Sequence, residues 1–406
     1  MLRYLFLLKN LKKIYFFKPP KKKILIYDHG VDLLIFLDKS EYFVFDARGE
    51  SLNIYVLFLC LFKYGFKNLI ENYKKLYFEL VDPKFIISYR CDNPGFFKLK
   101  QLIKNAKTIS IQWGKPQKYF FEEEYFSKEK KLQADYIFVF GDTVGENFSR
   151  LVECRTISLG GLVNNYFKFD DNVQKNTMIF ISQHKNRRLF PKAEELILKL
   201  LKEFCDKKNI HLFVSSRTRE DDHSGKDPYE KILGKHNWTY CPRKSFSIMG
   251  DYLAYKNVMT KEYVVFVDST LGYEAIGRNK KIIAFPLGCD DKEWCKTNYL
   301  FSKSPEEIYY PTSFAYPLIF PSIGPFWCSK YDKQKMNDIL NFVTTRSDEE
   351  WKEIINNLKL KKIMSFDQGN EKLINVLDQI GVPLNKKIIQ NSKLIISEDN
   401  YKYFNT

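Results

Sequence analysis

The stretch that decides the fold is YVVFVDSTLGYEAIGRNKKIIAF, residues 263–285. An apolar run, Val264 to Val267, gives way at once to Asp268-Ser269-Thr270-Leu271-Gly272 and then to Tyr273-Glu274-Ala275. Apolar residues closed by small polar ones and followed by a helix-forming segment predict a strand, a tight turn and a helix start. Such a turn aims unpaired backbone N–H groups and the positive end of the helix dipole at one spot. Phosphate is the natural occupant. Ser269 and Thr270 add hydroxyl donors, and Gly272 lets a ligand or another backbone come close. Glu274, in the first turn, is placed to accept hydrogen bonds from sugar or ribose hydroxyls. The bland alternative is an ordinary capped strand–helix turn. The strand that follows, KKIIAF at 280–285, favours a phosphate-binding α/β unit.

Working outward, the same alternation recurs. MIFISQ (178–183), a helix over 191–208, IHLFVSSR (210–217) and WTYCPR (238–243) precede the deciding stretch. The first half carries six strand-like runs: ILIYD (24–28), YFVFDARGES (42–51), KFIISYRCDN (84–93), KTISIQWG (107–114), DYIFVFGDT (135–143) and CRTISLGG (154–161). Residues 52–65, LNIYVLFLCLFKYG, read as a buried helix. Short apolar strands separated by helices imply parallel sheets wrapped by helices. The fold class is therefore α/β, with two Rossmann-like doubly wound domains facing across a cleft and helices at the C-terminal end. The predicted boundaries are a basic N-terminal segment (1–22), a first domain (23–165), a linker (166–177), a second domain (178–345), C-terminal helices (346–385) and a Lys/Asn-rich, less ordered tail (386–406). Ser347, with Glu350 three residues on, reads as a capping box.

Ligands of open α/β sheets bind at the C-terminal ends of the strands. Arg217 and Arg243 both stand at such ends, and a guanidinium suits a diphosphate through paired hydrogen bonds. Structural salt bridging is the competing reading for each. Arg187 and Arg188 reach toward the same cleft in a weaker reading. In the first domain the strand ends carry Asp46, Arg48, Glu50, Asp92, Asn93, Gln112 and Trp113. Asp46, Glu50 and Asp92 are candidate catalytic carboxylates, as a base on an acceptor hydroxyl or as a nucleophile. Turn capping is the commoner use of each. Trp113 offers a face for a sugar ring, or a packing surface. His29 and His184 follow strands and are weaker candidates. YYPTSFAYPLIFPSIGPFW (309–327) reads as a loop packed on a sheet edge, or as a lid.

D-S-T-x-G-Y-E-A-x-x-R-x-K-K resembles the donor-site segment of GT-B glycosyltransferases, and more closely that of bacterial surface-carbohydrate proteins of the O-antigen biosynthesis class. FDARGES (45–51), ISYRCDN (87–93), TISIQWG (108–114), DYIFVFGD (135–142), IFISQ (179–183), Trp238–Arg243 and GPFW (324–327) follow in matching order. The resemblance spans roughly residues 24–350. Asn279 stands where a glycine is expected, a change a helix C-terminus tolerates. The resemblance implies transfer of a sugar from a nucleotide-activated donor to a glycan or lipid-linked acceptor of O-antigen or capsule type. Within that architecture the strand-end and helix-start positions place Ser269, Thr270, Gly272, Glu274, Arg217 and Arg243 on the donor side, and Arg48, Asn93, Gln112 and Trp113 on the acceptor side. Polyol-phosphate transfer of teichoic-acid type, sugar-nucleotide epimerisation and a non-catalytic membrane scaffold are the rival readings.

Composition sets the outer limits. The chain has 406 residues with 65 Lys and Arg against 49 Asp and Glu, a net charge of +16. That excess is a solubility and composition effect, or it marks an anionic partner such as nucleotide phosphate or an acidic membrane. No nucleic-acid motif accompanies it, so nucleic acid is not expected. MLRYLFLLKNLKKIYFFKPPKKK (1–23) fits a basic amphipathic helix lying on an anionic membrane, or one packed on the protein itself. No apolar run is long enough to span a bilayer. The 8 cysteines show no C-x-x-C spacing, as expected of reduced cytoplasmic thiols. The location expected is the cytoplasm, with contact to the inner face of the membrane. No H-x-x-H or H-E-x-x-H occurs, and the nearest run to a D-x-D metal motif is Glu220-Asp221-Asp222 in a hydrophilic loop. Neither G-x-x-x-x-G-K-[ST] nor G-x-G-x-x-G occurs, so kinase and dehydrogenase readings lose their main support. No metal and no cofactor beyond the donor are expected.

Overall fold

The structure, a computed structural model, describes residues 11–28, 30–47, 50–116, 121, 131–170, 172–183, 191–221, 225–245, 247–299, 310–390 and 394–404. Two parallel sheets organise the chain. The first contains β2 (Ile24–Tyr27), β3 (Tyr42–Phe45), β5 (Phe85–Ser88), β6 (Lys107–Ile111), β7 (Gln133–Val139) and β8 (Glu153–Ser158) in the order β3-β2-β5-β6-β7-β8. Helices α1 (Ile54–Tyr64) and α2 (Leu69–Val81) connect β4 (Ser51–Asn53) to β5. The short helix α3 (Leu162–Tyr166) leads out of this lobe. The second sheet contains β9 (Gln174–Ile181), β10 (His211–Arg219), β11 (Trp238–Arg243), β12 (Lys261–Phe266) and β13 (Lys281–Ala284) in the order β11-β10-β9-β12-β13. Its helices include α4 (Lys192–Lys208), α5 (Ile248–Met259) and α6 (Thr270–Gly277). The two doubly wound lobes anticipated from the sequence are both present.

Strand order fixes where a ligand can sit. In the first sheet the chain builds β2 and β3 one way, then returns to the other side of β2 with β5. In the second it builds β9, β10 and β11 one way, then returns beside β9 with β12. Each reversal leaves a crevice at the strand C-termini. These ends face one another, because Lys115, beyond β6, reaches Asp268, beyond β12.

Several segments depart from expectation. The described part of the basic N-terminal segment is no helix: Lys13–Tyr15 forms β1, pairing in parallel with β4. Backbone pairing to an available edge overrides the weak helical periodicity. Helix α1 is not buried either, since Phe58 is 69% and Phe62 92% exposed. The segment 166–177 is hardly a free linker: Tyr166 and Phe167 are buried, and β9 already starts at Gln174.

The C-terminal helices divide between the lobes. Trp351, on α7 (Asp348–Asn357), packs edge-on to Phe326 and donates to the Lys280 carbonyl at 2.7 Å. The capping box of Ser347 and Glu350 forms. The chain then crosses back, and Leu373 and Leu377 of α8 (Glu371–Gln379) join the first lobe's core with Ile24, Ile26 and Ile87. Beyond residue 386 the chain is not merely a loose tail, because Leu394 and Ile396 are buried and the Ile396 N–H donates to the Tyr166 carbonyl at 2.6 Å.

Candidate functional site

The second lobe's crevice lies between the ends of β9 and β12. The Asp268 N–H donates to Gln183 Oε1 at 3.1 Å, spanning it. Ser269 is the N-cap of α6 with extended backbone, and its side chain makes no capping bond. Ser269 and Thr270 are half-buried, and Thr270 meets the first lobe. There the Lys115 N–H donates to Thr270 Oγ1 at 3.1 Å. The Lys115 side chain inserts between the lobes, paired with Asp268, 3.0 Å from the Tyr273 hydroxyl, and bonded to Thr312. Its ammonium lies 4.3 Å from the Tyr273 ring centre. Burial pulls this lysine's pKa down, but Asp268 and Tyr273 outweigh burial and hold it above its usual value. The Thr312 N–H also donates to Asp268, at 2.9 Å. The deciding turn therefore meets the first lobe through Lys115, whose ammonium is buried and paired with Asp268 beside the helix start.

The first lobe's crevice lies between β2 and β5, and is also bridged by charge. Arg90 stands 3.8 Å from Asp28 and binds Asp92 through two bonds of 2.8 and 2.6 Å. Asp92 holds the Arg90 pKa above its usual value. The guanidinium lies 5.0 Å from the Trp113 ring centre, and Trp113 is 50% exposed. Arg90, held by Asp92, thus stacks over one face of the half-exposed Trp113 ring. Asp46 is half-buried at the end of β3. Glu50 is tied to β1, accepting from Lys12 at 3.2 Å.

Other predicted residues have polar atoms committed to the fold. Asn93 caps a short helix by accepting from the Gly95 N–H at 2.9 Å. Buried Gln112 accepts from the Phe140 N–H at 2.8 Å and donates to the Gly114 carbonyl at 3.0 Å, which pins the loop that presents Trp113 and Lys115. A side chain at Gly272 would meet the Phe266 ring at 2.2 Å, so this glycine serves helix–strand packing. Arg48, His29, His184, Arg187 and Arg188 lie outside the described residues. Arg217 is exposed near the end of β10. Arg243 pairs with Asp251, whose carboxyl burial pushes up to about 6 against the pull of Arg243.

Glu274 occupies a second layer of the seam. It is 3% exposed and accepts from the Tyr255 hydroxyl at 2.6 Å. It packs so closely on Gly161 of the first lobe that a Cβ there would stand 1.9 Å from Oε1. Burial pushes its carboxyl up to about 8, against the opposing pull of Tyr255 and Arg278. Arg278 ties the lobes as well, donating to Asn164 Oδ1 at 2.7 Å and to the Phe167 carbonyl at 2.5 Å. The deciding motif therefore splits: Ser269 and Thr270 stay half-exposed at the helix start, while Asp268, Glu274 and Arg278 fasten the seam. The described part of the aromatic stretch, 310–327, packs on the second sheet, with Phe314 stacked on Trp327 at 4.6 Å.

Lys115 and Thr312 escape a reading by motif, whereas Arg90 belongs to the turn Arg90-Cys91-Asp92-Asn93, which the sequence places at the cleft. The available signal for Lys115 is the W-G-K run that follows a buried strand. Among the described residues no group of His, Cys, Asp and Glu is placed to hold a metal, and all 8 cysteines are free thiols.

A family model described as "putative O-antigen biosynthesis protein" matches residues 111–381. The chain belongs to this family. The match begins at the end of β6, covers the whole second lobe and includes the return helix α8. No curated protein matches the chain in sequence. Similar solved structures include Staphylococcus aureus MnaA with UDP, at 15% identity and TM-score 0.45, covering 92% of this chain and 98% of that one. The Neisseria meningitidis UDP-GlcNAc 2-epimerase bound to UDP-GlcNAc has 10% identity and TM-score 0.42, over 90% and 100%. A mutant of S. aureus TarM in complex with fondaparinux, alpha-GlcNAc-glycerol and UDP has 15% identity and TM-score 0.40, over 77% and 58%. Two doubly wound lobes, strand ends opposed and a final helix returned to the first lobe, make this member of the family a GT-B-type protein.

Proposed function

We propose that the chain is a glycosyltransferase that moves a sugar from a nucleotide-activated donor to a growing surface polysaccharide of O-antigen or capsule type. The observation that carries this reading is the second lobe's reversal point. The uncapped start of α6 stands there against the opposite lobe, with Ser269 and Thr270 half-buried. Oriented N–H groups stabilise a departing phosphate without reorganising. Arg217 and Arg243, on the neighbouring strands β10 and β11, supply the positive charge, since Lys115 is already neutralised by Asp268. No metal and no cofactor beyond the donor enter this scheme.

On the first lobe, the half-exposed Trp113 ring, backed by the Arg90 guanidinium stacked over it, supplies the surface for the acceptor sugar. Asp46 is the favoured base, since Asp92 is already engaged by Arg90. An acceptor oxygen attacks the anomeric carbon, its proton passes to the carboxylate, and the bond to the phosphate breaks with its electron pair leaving on the nucleotide. Glu274, sealed in the seam, acts through lobe geometry and not by direct contact with the donor.

Thermal shift with UDP-, GDP-, CDP- and CMP-linked sugars tests the reading. One base class should raise the melting temperature, and Arg217→Ala and Arg243→Ala should each diminish the shift. A flat panel would sink the enzyme reading. A product formed without acceptor would instead indicate epimerisation. Loss of activity in His29→Ala or His184→Ala would favour polyol-phosphate transfer.

A further inference from the structure

The outer face of the first lobe breaks the ordinary rule for soluble surfaces. Tyr55, Phe58 and Phe62 share one face of α1, and Phe66 follows just beyond it. Their exposures are 39%, 69%, 92% and 83%. Beside them runs the β1 segment, with Ile14 at 49%, Tyr15 at 41%, Phe16 at 65% and Phe17 at 84%. The two segments are continuous: Phe16, Tyr55, Phe58 and Phe62 line one shared groove. Contiguous aromatic surface of this kind marks a binding face.

The charges around it choose the occupant. Residues 11–18 and 54–68 carry Lys12, Lys13, Lys18, Lys63 and Lys67 and no acidic residue. Lys12 leans on Glu50 and Lys63 stands 4.0 Å from Glu79, both in exposed pairs that long lysine stems can leave. Aromatic rings bounded by lysines match a bilayer, whose acyl boundary takes the rings while its phosphates take the ammonium groups. A second copy of the chain would set lysine rim against lysine rim. Among the described residues no helix is long and apolar enough to cross a membrane, so contact here is contact with its surface.

We infer that α1 and the β1 segment dock the protein onto membranes rich in anionic headgroups. The position suits the chemistry: the connection bearing Asp46 and Glu50 runs through β4 directly into α1. Docking therefore sets the acceptor rim beside the bilayer, within reach of a glycan carried on a lipid. That last step rests on the acceptor reading above, whereas docking does not.

Co-sedimentation of the full chain with vesicles tests it, comparing phosphatidylcholine alone with phosphatidylcholine mixed with phosphatidylglycerol. The chain should bind the mixed vesicles and not the neutral ones. The triple variant Phe58→Ser, Phe62→Ser, Phe66→Ser should lower binding by roughly tenfold or more. Lys13→Glu, Lys18→Glu, Lys67→Glu should remove the dependence on phosphatidylglycerol. Unchanged melting temperatures and nucleotide-sugar shifts in both variants keep loss of docking separate from misfolding and from failure of the transferase reading. Equal sedimentation of all three proteins, or none with either vesicle, overturns the proposal. So does a dimer of the unaltered chain that the phenylalanine variant disperses, since a second copy then covers the face.

Discussion

The seam between the lobes and the outer face of α1 invert the usual rule in opposite directions. At the seam, Lys115 and Asp268 are buried where apolar residues would pack more simply. On α1, phenylalanines stand in solvent where polar residues would be expected. A buried ion pair is poor evidence for stability but strong evidence that position matters, because its geometry fixes how two bodies meet. An exposed aromatic stripe contributes almost nothing to folding and awaits another surface. The comparison teaches that the departures from good packing mark the relations this protein must hold: one lobe to the other, and the first lobe to its surroundings.

The largest effect should come from breaking the seam. Lys115→Met strands the Asp268 carboxylate in the interior and should cost about 3–5 kcal/mol in denaturant unfolding. Adding Asp268→Asn should recover much of that loss. A cost near zero would mean the pair is hydrated and the seam open.

Glu274 tests the seam by pH. Its carboxyl holds a proton up to about 8 in the folded chain, whereas the ordinary value is 4.5. Its contribution is therefore fully present below the ordinary value and is lost as pH rises through the folded one. Glu274→Gln, which cannot ionise, should gain stability over the unaltered chain progressively from acid to alkaline solution. A gap that stays constant with pH would place this carboxylate in contact with water.

Trp113→Ala asks whether the first lobe's half-exposed ring does chemistry or packing. The acceptor KM should rise by about tenfold, with the nucleotide-sugar shift and the melting temperature little changed. A large fall in melting temperature instead would make Trp113 a packing residue.

The smallest effect sharpens the other side of the comparison. Phe58→Ser, Phe62→Ser, Phe66→Ser should change unfolding free energy by less than about 0.5 kcal/mol per site, because surface substitutions away from buried features seldom do more. A cooperative loss of several kcal/mol would show that the stripe is covered in solution.

The succession of strands and helices along the chain, the capping box at Ser347 and the turn after Val267 were all legible, because each depends on residues adjacent in the chain, whereas the order of strands within each sheet was not. Arg217, Arg243 and Trp113 were legible as candidates, since strand ends can be found from apolar runs. Glu274 was legible as part of a motif, but its burial was not: it depends on Gly161 and Tyr255, far away in the chain. Asn93 and Gln112 were read as cleft residues because a polar residue at a strand end looks the same whether it meets a ligand or a backbone amide.

The sequence by itself determined the α/β class, the two lobes and the strand–turn–helix unit on which the donor reading rests. Apolar periodicity and turn chemistry are local properties, so they survive in one dimension. Only the tertiary structure decided that Lys115 closes on Asp268, that the last helices return to the first lobe, that Lys13–Tyr15 is a strand and that α1 keeps its rings in solvent. Each of these depends on which distant surface arrives opposite a residue, and burial, pairing and pKa are properties of that meeting and not of the residue alone.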